Sequence, residues 1–233
     1  MISDIAKEAI SLILHGDKEL LKIVALSLEV SGSALIFSTA LGLPLAALMG
    51  LAEFPGKTFL VNLINTFMGI PPVVVGLVLY LLLSRSGILG FMGLLYTPTA
   101  MMIAQTVLSF PIVVALCHTA IVSVDPIIRQ AAEALGATRL QVAMTVIREA
   151  RYGIISAITA AFGRLMAEVG AILIVGGNIA GYTRVMTTTI AMETDKGNFE
   201  LAVALGIILL SISMVINLLI CKLQGKKGSF RTL

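Results

Sequence analysis

The chain has 233 residues, 58% of them hydrophobic, and carries 16 basic and 13 acidic side chains for a net charge of +3. So few charges cannot coat a soluble domain of this length, and so much apolar sequence excludes intrinsic disorder. The slight basic excess forms no stripe of the kind that binds nucleic acid, so a polytopic membrane protein is left.

In chain order, residues 1–19 mix Asp4, Lys7, Glu8, Asp17, Lys18 and Glu19 around one short apolar run. They lack the charged start, long apolar stretch and small-residue cleavage site of a secretory signal, and are expected to be an external segment. A span of the membrane needs about 20 apolar residues. Val30–Ala52 is uncharged for 23 residues and is predicted as the first span. Phe54-Pro55-Gly56-Lys57 follows as a tight turn. The stretch Gly50–Thr58 imitates a phosphate loop, but five residues separate its first glycine from Gly56-Lys57 where the motif has four. The chain is therefore expected to bind no nucleotide or other cofactor.

Thr58–Ser84 is uncharged for 27 residues and reads as the second span. Gly69-Ile70-Pro71-Pro72 should break it, since proline supplies no N–H and frees carbonyls in mid-helix. Such a break is tolerated where it is buried or lines a cavity, which makes Asn65 and Thr66 candidates for a translocation path. Ser86–Val124 is uncharged for 39 residues, too long for one straight helix. Its glycines and Pro98 predict a loop first and the third span from about Leu95.

The most polar connection is 123–151, with Arg129, Arg139, Arg148 and Arg151 among acidic residues. Asp125-Pro126 reads as a helix start with aspartate as cap, so a short helix at the membrane surface is expected. Tyr152–Thr183 is the fourth span, interrupted by Arg164 and Glu168. Four residues apart, they share a helix face, either lining a path or gate or locking two helices as an ion pair. Gly153, Ala157 and Ala161, and likewise Gly163, Ala167 and Ala171, make rows that allow close helix packing. Gly176–Arg184 is a glycine-rich outer loop whose amides and hydroxyls suit an anion. Asn178, with Thr187 and Thr188 in the short apolar helix that follows, joins the path candidates. Leu201–Cys221 is the fifth span, and residues 222–233 form a basic tail. Cys117, Cys221, His15 and His118 have no ligand spacing and read as structural or surface residues.

Positive charge sets the direction. With 123–151 placed in the cytoplasm, that side holds Lys57, Arg129, Arg139, Arg148, Arg151, Lys222, Lys226, Lys227 and Arg231, against Lys7, Lys18, Lys22, Arg85, Arg184 and Lys196 outside. The expected topology is five spans with the N-terminus outside and the C-terminus in the cytoplasm, all one permease domain.

Gln130-Ala131-Ala132-Glu133-Ala134-Leu135-Gly136 resembles the cytoplasmic loop signature of ABC importer permeases, with Gln130 in place of its glutamate and Arg148-Glu149 in place of its Leu-Pro tail. Phe67–Leu77, Leu82–Gly87, Val146–Arg151 and Gly176–Gly181 further resemble the tungstate branch of the molybdate, tungstate and sulfate permeases. The resemblance implies the all-α type I importer fold, with Gln130, Ala131, Ala132, Glu133 and Gly136 coupling to an ATPase. It also implies a homodimer, two cytoplasmic ABC ATPase subunits that use ATP and magnesium, and an extracytoplasmic oxyanion-binding protein. The substrate implied is tungstate, with molybdate, sulfate or another small solute as alternatives. A membrane-embedded enzyme, a passive channel or a structural subunit are readings of other classes, and the charged loop with its glycine signature opposes the last two.

Overall fold

A computed structural model describes residues 18–224. The N-terminal segment before Lys18, including His15, and the tail beyond Gln224 lie outside the described residues, as does the side chain of Cys221. The helices are α1 (Lys18–Leu51), α2 (Lys57–Phe67), α3 (Pro72–Leu83), α4 (Pro98–Val122), α5 (Pro126–Ala134), α6 (Arg139–Glu149), α7 (Arg151–Met166), α8 (Gly170–Gly176), α9 (Met186–Asp195) and α10 (Phe199–Gln224), with one 3-10 turn at Gly90–Met92. Three of them, α1, α4 and α10, are long and apolar enough to cross a membrane. The count reaches five when each of two bent pairs is taken as one span: α2 with α3, turned by 95°, and α6–α7 with α8, turned by 57°.

Local chemistry explains the boundaries. Helix α1 starts earlier than the first uncharged residue because Lys18, Glu19, Lys22 and Glu29 are good helix formers lying on its exposed side. The third span begins at Pro98, not Leu95: Thr97 caps it by accepting from the Ala100 amide at 3.3 Å, and proline suits the first helical position. Gly56 has φ of 87° at the turn into α2, where Lys57 pairs with Glu53 at 3.0 Å. The surface segment is two helices. Asp125 caps α5 by accepting from the Ile127 amide at 3.0 Å, and Thr138 with Gln141 forms a capping box on α6.

Helix α4 is the axis of the bundle. It packs along α1 and against α7 and α8, while α3 packs on α8 and α10 on α7 and α9. One core cluster joins α1, α2, α4, α6 and α7 around Met49, Val113, Cys117 and Ala157; a second joins α1, α3, α4 and α8 around Met101 and Val175; a third joins α1, α7, α9 and α10 around Met186 and Leu205. Two buried serines of α1 are satisfied within the helix: Ser27 donates to the Ile23 carbonyl at 2.7 Å, and Ser38, in contact with Ser109 of α4, donates to that of Ala34 at 2.6 Å.

The first small-residue row packs as its spacing predicts. Ala157 and Ala161 are buried, and a Cβ on Gly153 would stand 2.9 Å from that of Ala120. The second row does not survive as one face, because the chain breaks inside it. Gly163 and Ala167 are exposed, whereas Ala171, beyond the break, lies so close to Gly76 of α3 that a Cβ there would be 2.9 Å from the Ala171 Cα.

Candidate functional site

The second span breaks between Phe67 and Pro72. The Gly69 amide still reaches the Thr66 carbonyl at 3.1 Å and that of Ile70 reaches Phe67 at 3.3 Å, after which Pro71 and Pro72 offer no donor and α3 departs at a new angle. Asn65 and Thr66 are exposed on the last turn of α2, with the Thr66 hydroxyl donating to the Asn62 carbonyl at 2.8 Å.

The fourth span is broken at Ala167–Val169, where a continuous helix with an i, i+4 ion pair was expected. The reason is visible in how Glu168 is held. Its Oε2 stands 3.4 Å from Arg164 Nη1, and its Oε1 accepts from the Ala171 amide at 3.3 Å, so one carboxylate ties the end of α7 to the first turn of α8. Its own carbonyl accepts from the Thr187 hydroxyl of α9 at 2.8 Å, and the Leu165 carbonyl, which takes the Glu168 amide at 3.1 Å in the turn that ends α7, also accepts from Gln105 Nε2 of α4 at 3.1 Å. A backbone group loosed from its helix at membrane depth needs such a partner. The pair is asymmetric: the Glu168 side chain is 5% exposed and that of Arg164 is 51% exposed.

The two breaks meet. Phe67, Met68 and Ile70 from one, Arg164, Leu165 and Glu168 from the other, and Leu108 and Ile112 of α4 enclose a cavity of about 10 Å³, the size of one water. A second cavity of about 10 Å³, which shares Leu165 with the first, is lined by Ser27, Ser31, Gln105 and Thr187 among apolar residues. Gln105 lines this second cavity; the Leu165 carbonyl holds its Nε2, and its buried Oε1 has no hydrogen-bond partner among the described residues. Gln105 escapes a reading of the sequence, since one neutral amide in a long apolar run has no spacing to mark it.

The glycine-rich loop turns through Gly177 and Asn178, both at positive φ, and is closed by Thr183, whose hydroxyl donates to the Gly176 carbonyl at 2.6 Å and accepts from the Ile179 amide at 2.9 Å. Thr187 and Thr188 are buried, and the Thr188 hydroxyl stands 3.0 Å from Asn178 Oδ1. Asn178, Thr187 and Thr188 thus brace the loop and the fourth-span break in this conformation. Arg184 faces Glu19 of α1 at 3.8 Å.

At the polar connection, α5 and α6 project as a knob. Gly136 has φ of 79° with open space around it, so its turn is set by backbone conformation and not by crowding. Gln130, Ala131 and Glu133 are exposed and Ala132 half-buried. Arg129 pairs with Glu133 at 3.0 Å and donates to the Leu51 carbonyl at the end of α1 at 3.3 Å, which ties the knob to the first span. Its apolar tips are bare: Ile127 is 67%, Leu135 88% and Leu140 71% exposed. Apolar side chains standing out of a charged segment suit contact with another protein or with the membrane surface.

Residues 42–225 match the family model described as binding-protein-dependent transport system inner membrane component. A probable anion ABC transporter permease protein of Haloferax volcanii is 48% identical, over 86% of this chain and 88% of its own. The tungstate uptake system permease protein TupB of Peptoclostridium acidaminophilum is 41% identical, over 94% of this chain and 96% of its own. Among solved structures, an inward-facing MetNI methionine ABC transporter superposes with a TM-score of 0.73 at 19% identity, covering 88% of this chain and 94% of its counterpart, a likeness of fold. With its broken spans, its projecting knob and these matches over most of its length, the chain belongs to the binding-protein-dependent transport system inner membrane components, the permeases of ABC transporters.

Proposed function

We propose that this permease forms the path by which an oxyanion, tungstate above all, enters the cell. The relatives that match nearly the whole chain carry anion and tungstate uptake in their names, and a molybdenum permease of Escherichia coli is 34% identical over 82% of the chain. On this reading two copies pair about a two-fold axis, two cytoplasmic ATPases hydrolyse ATP with magnesium, and a binding protein delivers the anion from outside. The N-terminus lies outside and the C-terminus in the cytoplasm.

The observation that carries the coupling role is the knob. Its bare tips, its glycine turn and the Arg129 contact to α1 make a rigid handle through which ATPase closure can pull on the spans. Gln130, Ala131, Ala132, Glu133 and Gly136 stand on the handle. Motion there would be felt at the paired breaks, where Arg164 and Glu168 act as the lock of the gate. A doubly charged anion passes best over neutral donors that bind it weakly enough to release it. Asn65 offers an exposed amide of that kind beside the first break; Thr66, Asn178, Thr187 and Thr188 become donors to the anion when the breaks separate.

Uptake of tungstate, molybdate and sulfate in cells with and without this chain tests the proposal. Loss of tungstate uptake alone supports it; loss of molybdate or sulfate uptake with tungstate unaffected would reassign the substrate.

A further inference from the structure

Leu35 of α1, Ile155, Ile158, Thr159 and Phe162 of α7 and Ile216 of α10 line a groove of about 310 Å³ whose wall is almost wholly apolar. Helices α7 and α10 belong to the fourth and fifth spans, which follow one another across the membrane and pack together, so they run antiparallel. Going back from Ile158 to Arg151 and on from Ile216 to Lys222 therefore moves toward the same end of the groove, by about 10 and 9 Å at about 1.5 Å per residue. Arg151, Ile155, Ile158 and Phe162 also follow one another at helical spacing, so the arginine ends the stripe that forms the groove wall.

That end is rich in cations without carboxylate partners. Among the described residues Arg148, Arg151 and Lys222 make no ion pair; Arg151 lies over the ring of Tyr152, 4.7 Å from its centre, and its Nη2 is 3.3 Å from the Tyr152 hydroxyl. Glu149 is the one acidic residue between Arg148 and Arg151, and the sequence from Lys222 to Leu233 holds four basic residues and no acidic one. An apolar slot at membrane depth, with unpaired cations about 10 Å beyond one end on the helices that line it, matches an acyl chain joined to an anionic phosphate.

We propose that this groove seats an acyl chain of an anionic phospholipid, with the headgroup phosphate against Arg151 and Lys222. Native mass spectrometry of the full permease complex, released from bilayers of equal phosphatidylglycerol and phosphatidylcholine, tests it. Phosphatidylglycerol should be retained roughly tenfold over phosphatidylcholine. The double variant Arg151→Gln with Lys222→Gln should bring the two lipids to parity, Arg151→Lys should keep the preference, and Ile158→Trp, which fills the slot, should lower retention of both. Equal retention by the unaltered protein, or a preference untouched by the double variant, would overturn the proposal. So would Ile158→Trp separating two copies of the chain at unchanged lipid counts, because the groove would then be a protein interface.

Discussion

Glu168 does two things at the fourth-span break, and two substitutions separate them. Glu168→Gln removes the charge but keeps an oxygen for the Ala171 amide, now 3.3 Å from Oε1. It loses the ion pair with Arg164, whose side chain remains 51% exposed. A pair with one half-exposed partner is worth about 0–1 kcal/mol, so the loss should be small. Glu168→Leu also strands the Ala171 amide in an apolar setting, which adds roughly 1–3 kcal/mol. At about 2–4 °C per kcal/mol for a chain of this size, leucine should lower the unfolding midpoint of the purified permease well below that of the glutamine variant. Equal midpoints for the two variants would refute the reasoning, since the carboxylate would then act through its charge alone.

Arg164→Met combined with Glu168→Leu should recover part of the stability lost by Glu168→Leu, because no cation is left beside an apolar side chain; a transport-dead but stable double variant would make the pair part of the path. Gly136→Asp and Glu133→Arg should abolish transport while the protein still inserts, with weaker ATPase recovery in detergent pull-downs, the second by breaking the Arg129 pair. Gly76→Val should destabilise by roughly 1–3 kcal/mol, because backbone atoms of Ala171 cannot yield, while Gly163→Ala, with nothing within 4 Å, should be tolerated in the same thermal scan. A cysteine at Asp17 should be labelled from outside intact cells and one at Ser229 should not; the reverse pattern would invert the topology.

Much of this was legible in the sequence for reasons that can be named. Asp125 before Pro126, Gly56 in a charged turn and Pro71-Pro72 in an apolar run each dictate local backbone whatever surrounds them. The break at Ala167–Val169 was not legible, since Arg164 and Glu168 four apart are what an unbroken helix would also show. The broken form is supported by tertiary partners that the spacing does not reveal, Gln105 on Leu165 and Thr187 on Glu168, beside the local contact of Glu168 with the Ala171 amide. For the same reason the meeting of the two breaks around one cavity could not be read from segments lying about a hundred residues apart. The composition of the glycine-rich loop at Gly176–Arg184 suits an anion, but it could not show that Thr183 braces the loop by bonding the Gly176 carbonyl and the Ile179 amide.

The most direct test of the account is transport by the purified parts. The permease, reconstituted in vesicles with its ATPase and its binding protein, should accumulate tungstate only when ATP and magnesium are supplied on the side of the knob. The Gly136→Asp variant, assembled in the same way, should not. Tungstate crossing at the same rate without ATP would make the chain a passive channel and contradict the account.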